Sequence, residues 1–131
     1  MPRQLEETFA VDGPSGHLLR YVVPRRGKPY VHSCSRVIYE EAAYAIDRLD
    51  AAPFTLESIV EKMSGCDQSK APPLTQVAVA LAFLKERGCV VPTRGRRHVA
   101  ATDDVYLDAM IEYHALREKG PEEEQGSTDT E

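Results

Sequence analysis

Apolar positions along this chain follow two different spacings. Near the start, Thr8–Gly13, His17–Val23 and Pro29–His32 are short β-favouring runs separated by Gly13-Pro-Ser-Gly16 and Pro24-Arg-Arg-Gly-Lys-Pro29. That turn chemistry predicts an arm of two or three strands. From residue 35 the spacing becomes helical. Ser35 is placed to cap a helix over about 36–50, in which Val37, Ile38, Ala42, Tyr44, Ala45, Ile46 and Leu49 recur at helical intervals. Phe54 precedes Thr55, the cap of a short helix over about 56–64 whose face is Leu56, Ile59, Val60 and Met63, and Gly65 ends it. After Cys66–Pro73, a third helix is expected over about 76–87, with Thr75 as cap, Val77, Ala80, Leu81 and Leu84 on one stripe, and Gly88 as its stop.

Cys89–Pro92 and Arg97–Ala101 then alternate as strands around Thr93-Arg-Gly-Arg96, a turn with glycine where a positive φ is needed, so a hairpin with a basic tip is expected. A last helix is expected from a Thr102 cap to about Lys119. Asp103 and Asp104 would lie in its first turn, and Tyr106, Leu107, Met110, Ile111, Tyr113 and His114 on one broad apolar arc. Residues 120–131 hold nothing apolar to offset the entropy of ordering them and are expected to be a disordered acidic tail.

Charge divides the chain more sharply than its net −5 implies. Residues 101–131 carry ten carboxylates against Arg117 and Lys119, a balance of −8, which leaves residues 1–100 at +3. Any affinity for polyanions therefore belongs to the body and not to the tail. The three cysteines, Cys34, Cys66 and Cys89, form no disulfide framework, no run reaches the roughly 20 apolar residues of a membrane span, and no secretory leader is visible. A cytoplasmic protein is the expectation.

Catalytic signatures are missing as well. There is no G-x-S-x-G, P-loop, dinucleotide-binding glycine pattern or H-E-x-x-H, and the adjacent carboxylates Glu40 and Glu41 would point about 100° apart on a helix. His17, His32, His98 and the cysteines lack C-x₂-C or H-x₃-H spacing. Neither an enzyme nor a metal site or cofactor is expected.

Three helices followed at once by a hairpin, with Leu84-Lys-Glu-Arg-Gly88, Val90 and Val91 leading into the basic turn, resemble the winged helix-turn-helix superfamily over about half the chain. The resemblance implies an α+β fold: a three-helix core plus a β-hairpin wing over residues 35–101, an N-terminal β-rich arm over 1–34, and a C-terminal helix over 102–119. It also implies two functions. In the first, a transcription-regulator-like protein meets double-stranded DNA through Thr75, Gln76, Lys85 and Arg87 of the third helix and Arg94, Arg96 and Arg97 of the wing, with Arg25 and Arg26 extending the basic surface. Such regulators often pair subunits through a terminal helix, which implies a homodimer; packing of that helix against helix one of the same chain is the equal alternative.

In the second, a protein-interaction module without DNA affinity presents Val79, Phe83, Tyr106, Met110, Ile111 and Tyr113 to a partner. Val79 and Phe83 point away from Val77, so the β-rich arm or another protein must cover them. The link of about ten residues before the third helix, containing Pro72 and Pro73, is longer than the three or four residues of a compact helix-turn-helix.

Overall fold

The computed structural model describes residues 6–49, 53–65 and 72–119. The expected tail over 120–131 and most of the loop before the third helix lie outside the described residues. Chain order is β1 (Glu6–Val11), β2 (Leu18–Val23), β3 (Tyr30–Cys34), α1 (Arg36–Asp47), α2 (Leu56–Ser64), α3 (Leu74–Glu86), β4 (Val90–Pro92), β5 (His98–Ala100) and α4 (Val105–Lys119). Among the described residues this is an α+β fold of four helices and two small antiparallel sheets, β1-β2-β3 and β4-β5.

The arm is a three-stranded meander whose register explains its seat on the helices. Val11, Leu18 and Cys34 lie opposite one another and are fully buried, while Phe9, next on the same face, meets the Phe83 ring edge-on at 5.3 Å. At the first turn, Asp12 accepts hydrogen bonds from the Ser15 amide and hydroxyl, which lowers its pKa. Gly16 is buried at φ 76°, and a Cβ there would meet Tyr113 Oη at 3.2 Å, so both backbone and packing call for glycine.

Local capping explains where the helices begin. The Ser35 side chain accepts from the Ile38 amide, and Thr55 and Ser58 form a reciprocal capping box. Helix α1 stops at Asp47, three residues before the expected end, with Arg48 as its C-cap. Thr75 does not cap α3: the helix begins at Leu74 behind Pro73, whose φ of −62° is already helical and which supplies no capping side chain. At α4, the Asp104 carboxylate accepts from the Leu107 amide at 3.1 Å, taking the cap expected of Thr102. The Thr102 hydroxyl donates instead to Asp108 Oδ2 at 2.8 Å.

Helix α3 is the centre of the molecule. It packs against α1 and α2 and also against β2 and β3, and Val77, Val79, Ala80, Phe83 and Leu84 are all fully buried. Beside it Tyr39 and Tyr113 stack at 5.3 Å, each donating its hydroxyl at 2.6 Å to a buried carbonyl, of Ala109 and Gly16 respectively. Burial pushes both phenol pKa values up. Between α1 and α2, Phe54 forms an antiparallel bridge with His98, its amide and carbonyl each bonded at 2.8 Å. This bridge ties the start of α2 to the β4-β5 ribbon.

Candidate nucleic-acid and protein interfaces

The residue types expected to read DNA are dispersed by the fold. Thr75 and Lys85 are exposed at opposite ends of the one open strip of α3, which also carries Leu74, Ala78 and Ala82. Between Thr75 and Lys85 the strip therefore presents methyl groups. Gln76 is turned inward, and its Oε1 accepts from the Ser35 amide at 2.9 Å, joining α3 to the start of α1. Arg87 lays its guanidinium over the Phe83 ring at 5.2 Å and pairs with Glu86 at 3.0 Å. A more distant carboxylate, Glu112, lies at 4.0 Å. Gln76 is thus engaged within the fold, while Arg87 stays exposed at the end of α3.

Arg94, Arg96 and Arg97 are all exposed on the β4-β5 turn, where Gly95 takes φ 64°. They share a shallow groove of about 470 Å³ with Thr55 and Glu57 of the α2 start. No carboxylate lies within ion-pair distance of these three guanidinium groups among the described residues. His98, at the base of the ribbon, has its pKa lowered by burial and by the charge of Lys85. Arg25 and Arg26 are exposed on the turn between β2 and β3, a different sheet from the wing. Counting four residues from Arg20, which pairs with Phe9, places that turn about 13 Å along the strands from the Phe9–Phe83 contact.

Val79, Phe83 and Tyr113 are fully buried in this chain's own core and cannot face a partner. For Val79 and Phe83 the cover is the β1-β2-β3 arm; Tyr113 is turned inward by its bond to Gly16 and its stack on Tyr39. The broad apolar arc expected on α4 is in fact two opposed stripes. Val105, Ala109, Tyr113 and Leu116 face the core. Leu107, Ile111, His114 and Glu118 face outward at spacing i, i+4, i+7 and i+11, with Leu107 52% and Ile111 54% exposed, while Met110, like Tyr106, is partly buried against the core. Leu107 and His114 belong to this outward stripe, and their spacing from Ile111 is the signal that separates it from Tyr113.

A groove of about 1130 Å³ runs along the ends of α1 and α2 and the start of α4. Tyr44 and Tyr106 meet edge-on in it at 6.1 Å, and the Arg48 guanidinium lies 5.4 Å from the Tyr44 ring centre. Among the described residues no three His, Cys, Asp or Glu side chains come together as a metal would require, and no helix is long and apolar enough to cross a membrane. Burial raises the Cys34 thiol to about 12 and the Cys89 thiol to about 11, which makes both poor nucleophiles near neutral pH. Comparison with protein-family models, curated proteins and solved structures finds no match.

Proposed function

We propose that residues 35–101 form a winged helix used as a protein-interaction module, with the outward face of α4 as its docking surface. The order α1, Phe54, α2, α3, β4, β5 supports the winged-helix assignment. One observation carries the functional choice: α3 is enclosed on two opposite sides, and the polar side chains exposed on its open strip are Thr75, Lys85 and Glu86. Base readout needs Arg, Lys, Asn or Gln side chains aimed into the major groove, each good bidentate pair contributing about 1–3 kcal/mol of discrimination. A strip with alanines at its middle supplies no such pair.

Fluorescence anisotropy with random duplex, followed by selection from a randomised duplex pool, tests this reading. The expected result is no enriched sequence. A selected duplex bound about 1,000-fold more tightly than random DNA, and weakened by Thr75→Ala or Lys85→Ala, would overturn it.

The three arginines of the wing support a second, narrower reading, in which the turn contacts phosphates without reading sequence. Binding of that kind falls with salt by about 0.9 log units per log unit for each phosphate contact. It would disappear in the Arg94→Ala, Arg96→Ala, Arg97→Ala variant and leave Lys85→Ala nearly unaffected.

A further inference from the structure

We infer that the groove between the ends of α1 and α2 and the start of α4 holds a basic segment of a partner protein, with an arginine of that segment seated against Tyr44. The inference adds a second surface to the interaction-module reading above and gives the partner a charge. The walls of this groove, about 1130 Å³ in volume, carry five carboxylates, Glu40, Glu41, Asp47, Glu61 and Asp104, against Arg48 and Lys62. Glu40 is paired with Arg36 at 2.8 Å. Asp47 and Asp104 accept from the Val105 and Leu107 amides at the start of α4. Among the described residues no cation lies within ion-pair distance of Glu41 or Glu61, both exposed.

Acidity alone names no ligand, but its setting does. Helix α1 ends at Asp47 and α2 at Ser64, and residues at both ends line the groove, so the negative ends of two helix dipoles meet there. The dipole of α4, whose positive end also reaches the groove, is offset by the Asp104 carboxylate at its cap. Among the described residues no three His, Cys, Asp or Glu side chains converge as a metal would require. Charge spread along the walls in this way suits a chain carrying several cations better than a point ion.

The aromatic rings select the cation. Tyr44 is 52% exposed, meets Tyr106 edge-on at 6.1 Å and holds the Arg48 guanidinium 5.4 Å from its ring centre. That distance is a cation–π contact, so the ring is already used as a seat for a guanidinium. Arg48 is itself exposed, and among the described residues no carboxylate lies within ion-pair distance of it. It is therefore a side chain that a partner's arginine can displace. Guanidinium is planar and weakly hydrated and stacks on an aromatic face more readily than an ammonium, so arginine is preferred to lysine.

Fluorescence anisotropy of a labelled peptide of alternating arginine and glycine, titrated with the full chain at low salt, tests the proposal. Saturable one-to-one binding that weakens as salt is added is the expected result. The arginine peptide should bind about threefold more tightly than its lysine counterpart, and a glutamate counterpart should not bind. Glu41→Lys with Glu61→Lys, both at exposed positions, should weaken binding about tenfold while leaving the circular dichroism melt in place. Tyr44→Leu, which keeps apolar bulk and removes the ring, should weaken it about threefold. Arg48→Ala should strengthen it by about the same factor, because it clears the ring and removes a competing charge.

A control separates the groove from the other acidic part of the chain. Glu122→Gln, Glu123→Gln and Glu124→Gln, made together in the full chain, should leave binding within about twofold of the parent. Absence of saturable binding up to about 1 mM protein overturns the inference. So does binding that the Glu122–Glu124 variant loses and the Glu41→Lys, Glu61→Lys variant keeps. Binding weakened by Arg48→Ala overturns the seat on Tyr44. Each of these failures is distinct from failure of the interaction-module reading, which the DNA selection decides.

Discussion

The contact between Phe9 and Phe83 decides whether the β-rich arm is part of the fold or an appendage, and its strength can be worked from the geometry. Phe83 is fully buried, with its ring 5.3 Å from Phe9 and 5.9 Å from Tyr39 and the Arg87 guanidinium 5.2 Å away. Truncating a buried phenylalanine to alanine removes its transfer free energy and leaves a cavity, together about 3–5 kcal/mol. Half-buried Phe9 should lose about 2 kcal/mol on the same change. An edge-to-face pair adds about 0.5–1.5 kcal/mol beyond burial, so the double variant should be less destabilised than the sum of the singles by about that amount.

Urea denaturation followed by circular dichroism measures all four corners of this cycle. Phe83→Leu and Phe9→Leu serve if the alanine variants approach the 5–15 kcal/mol total stability of a typical domain. Additivity within about 0.3 kcal/mol would mean that the two rings are uncoupled, and the claim that the arm closes one side of α3 would fail.

Two further predictions concern the core. Because the folded chain holds the Cys34 proton to about 12 while an exposed thiol releases it near 9, this group's contribution is complete below pH 9 and is lost as pH rises from 9 to 12, by at most about 1.4 kcal/mol per unit. Denaturation at pH 8 and 10.5 should therefore show a larger alkaline loss in the parent chain than in Cys34→Ala, and equal losses would refute it. Tyr113→Phe removes the 2.6 Å bond to the Gly16 carbonyl and should lower stability by about 1–2 kcal/mol. Gly16→Ala, which adds both strain and a clash at that point, should be worse by thermal melt.

The local signals in this sequence proved more informative than the residue-type signals. Ser35, Thr55, Gly65 and Gly88 punctuate the chain where helices α1, α2 and α3 begin or end, because caps and positive-φ glycines act within a few residues of themselves. Thr102 misled because Asp104, close by, caps α4, whereas α3 starts at Leu74, one residue before Thr75, with no side-chain cap at all. Val79 and Phe83 opposite Val77 already indicated that α3 needs cover on both sides. That the arm supplies it depends on long-range packing, which no local pattern encodes.

The residues expected to meet DNA were legible only as donors. Gln76 and Arg87 have the right chemistry; a tertiary bond from the Ser35 amide engages Gln76, and Glu86 and the Phe83 ring lie beside Arg87 at the end of the same helix. The broad arc on α4 combined two stripes because residues at i and i+3 look alike until it is known which one the core takes. The core-facing Tyr113 and the exposed Ile111 settle that division.

Native-state hydrogen exchange addresses the central claim, that the molecule's own sheet covers the Val79–Phe83 side of α3 as an integral part of the fold. The account predicts that the amides of Val77–Leu84 and the paired amides of β2 exchange only through global unfolding, with the same free energy and the same dependence on urea. If the β2 amides exchanged through a separate opening several kcal/mol below that of α3, the sheet would be a detachable cover. Val79 and Phe83 would then be available to a partner, contrary to the structure described above.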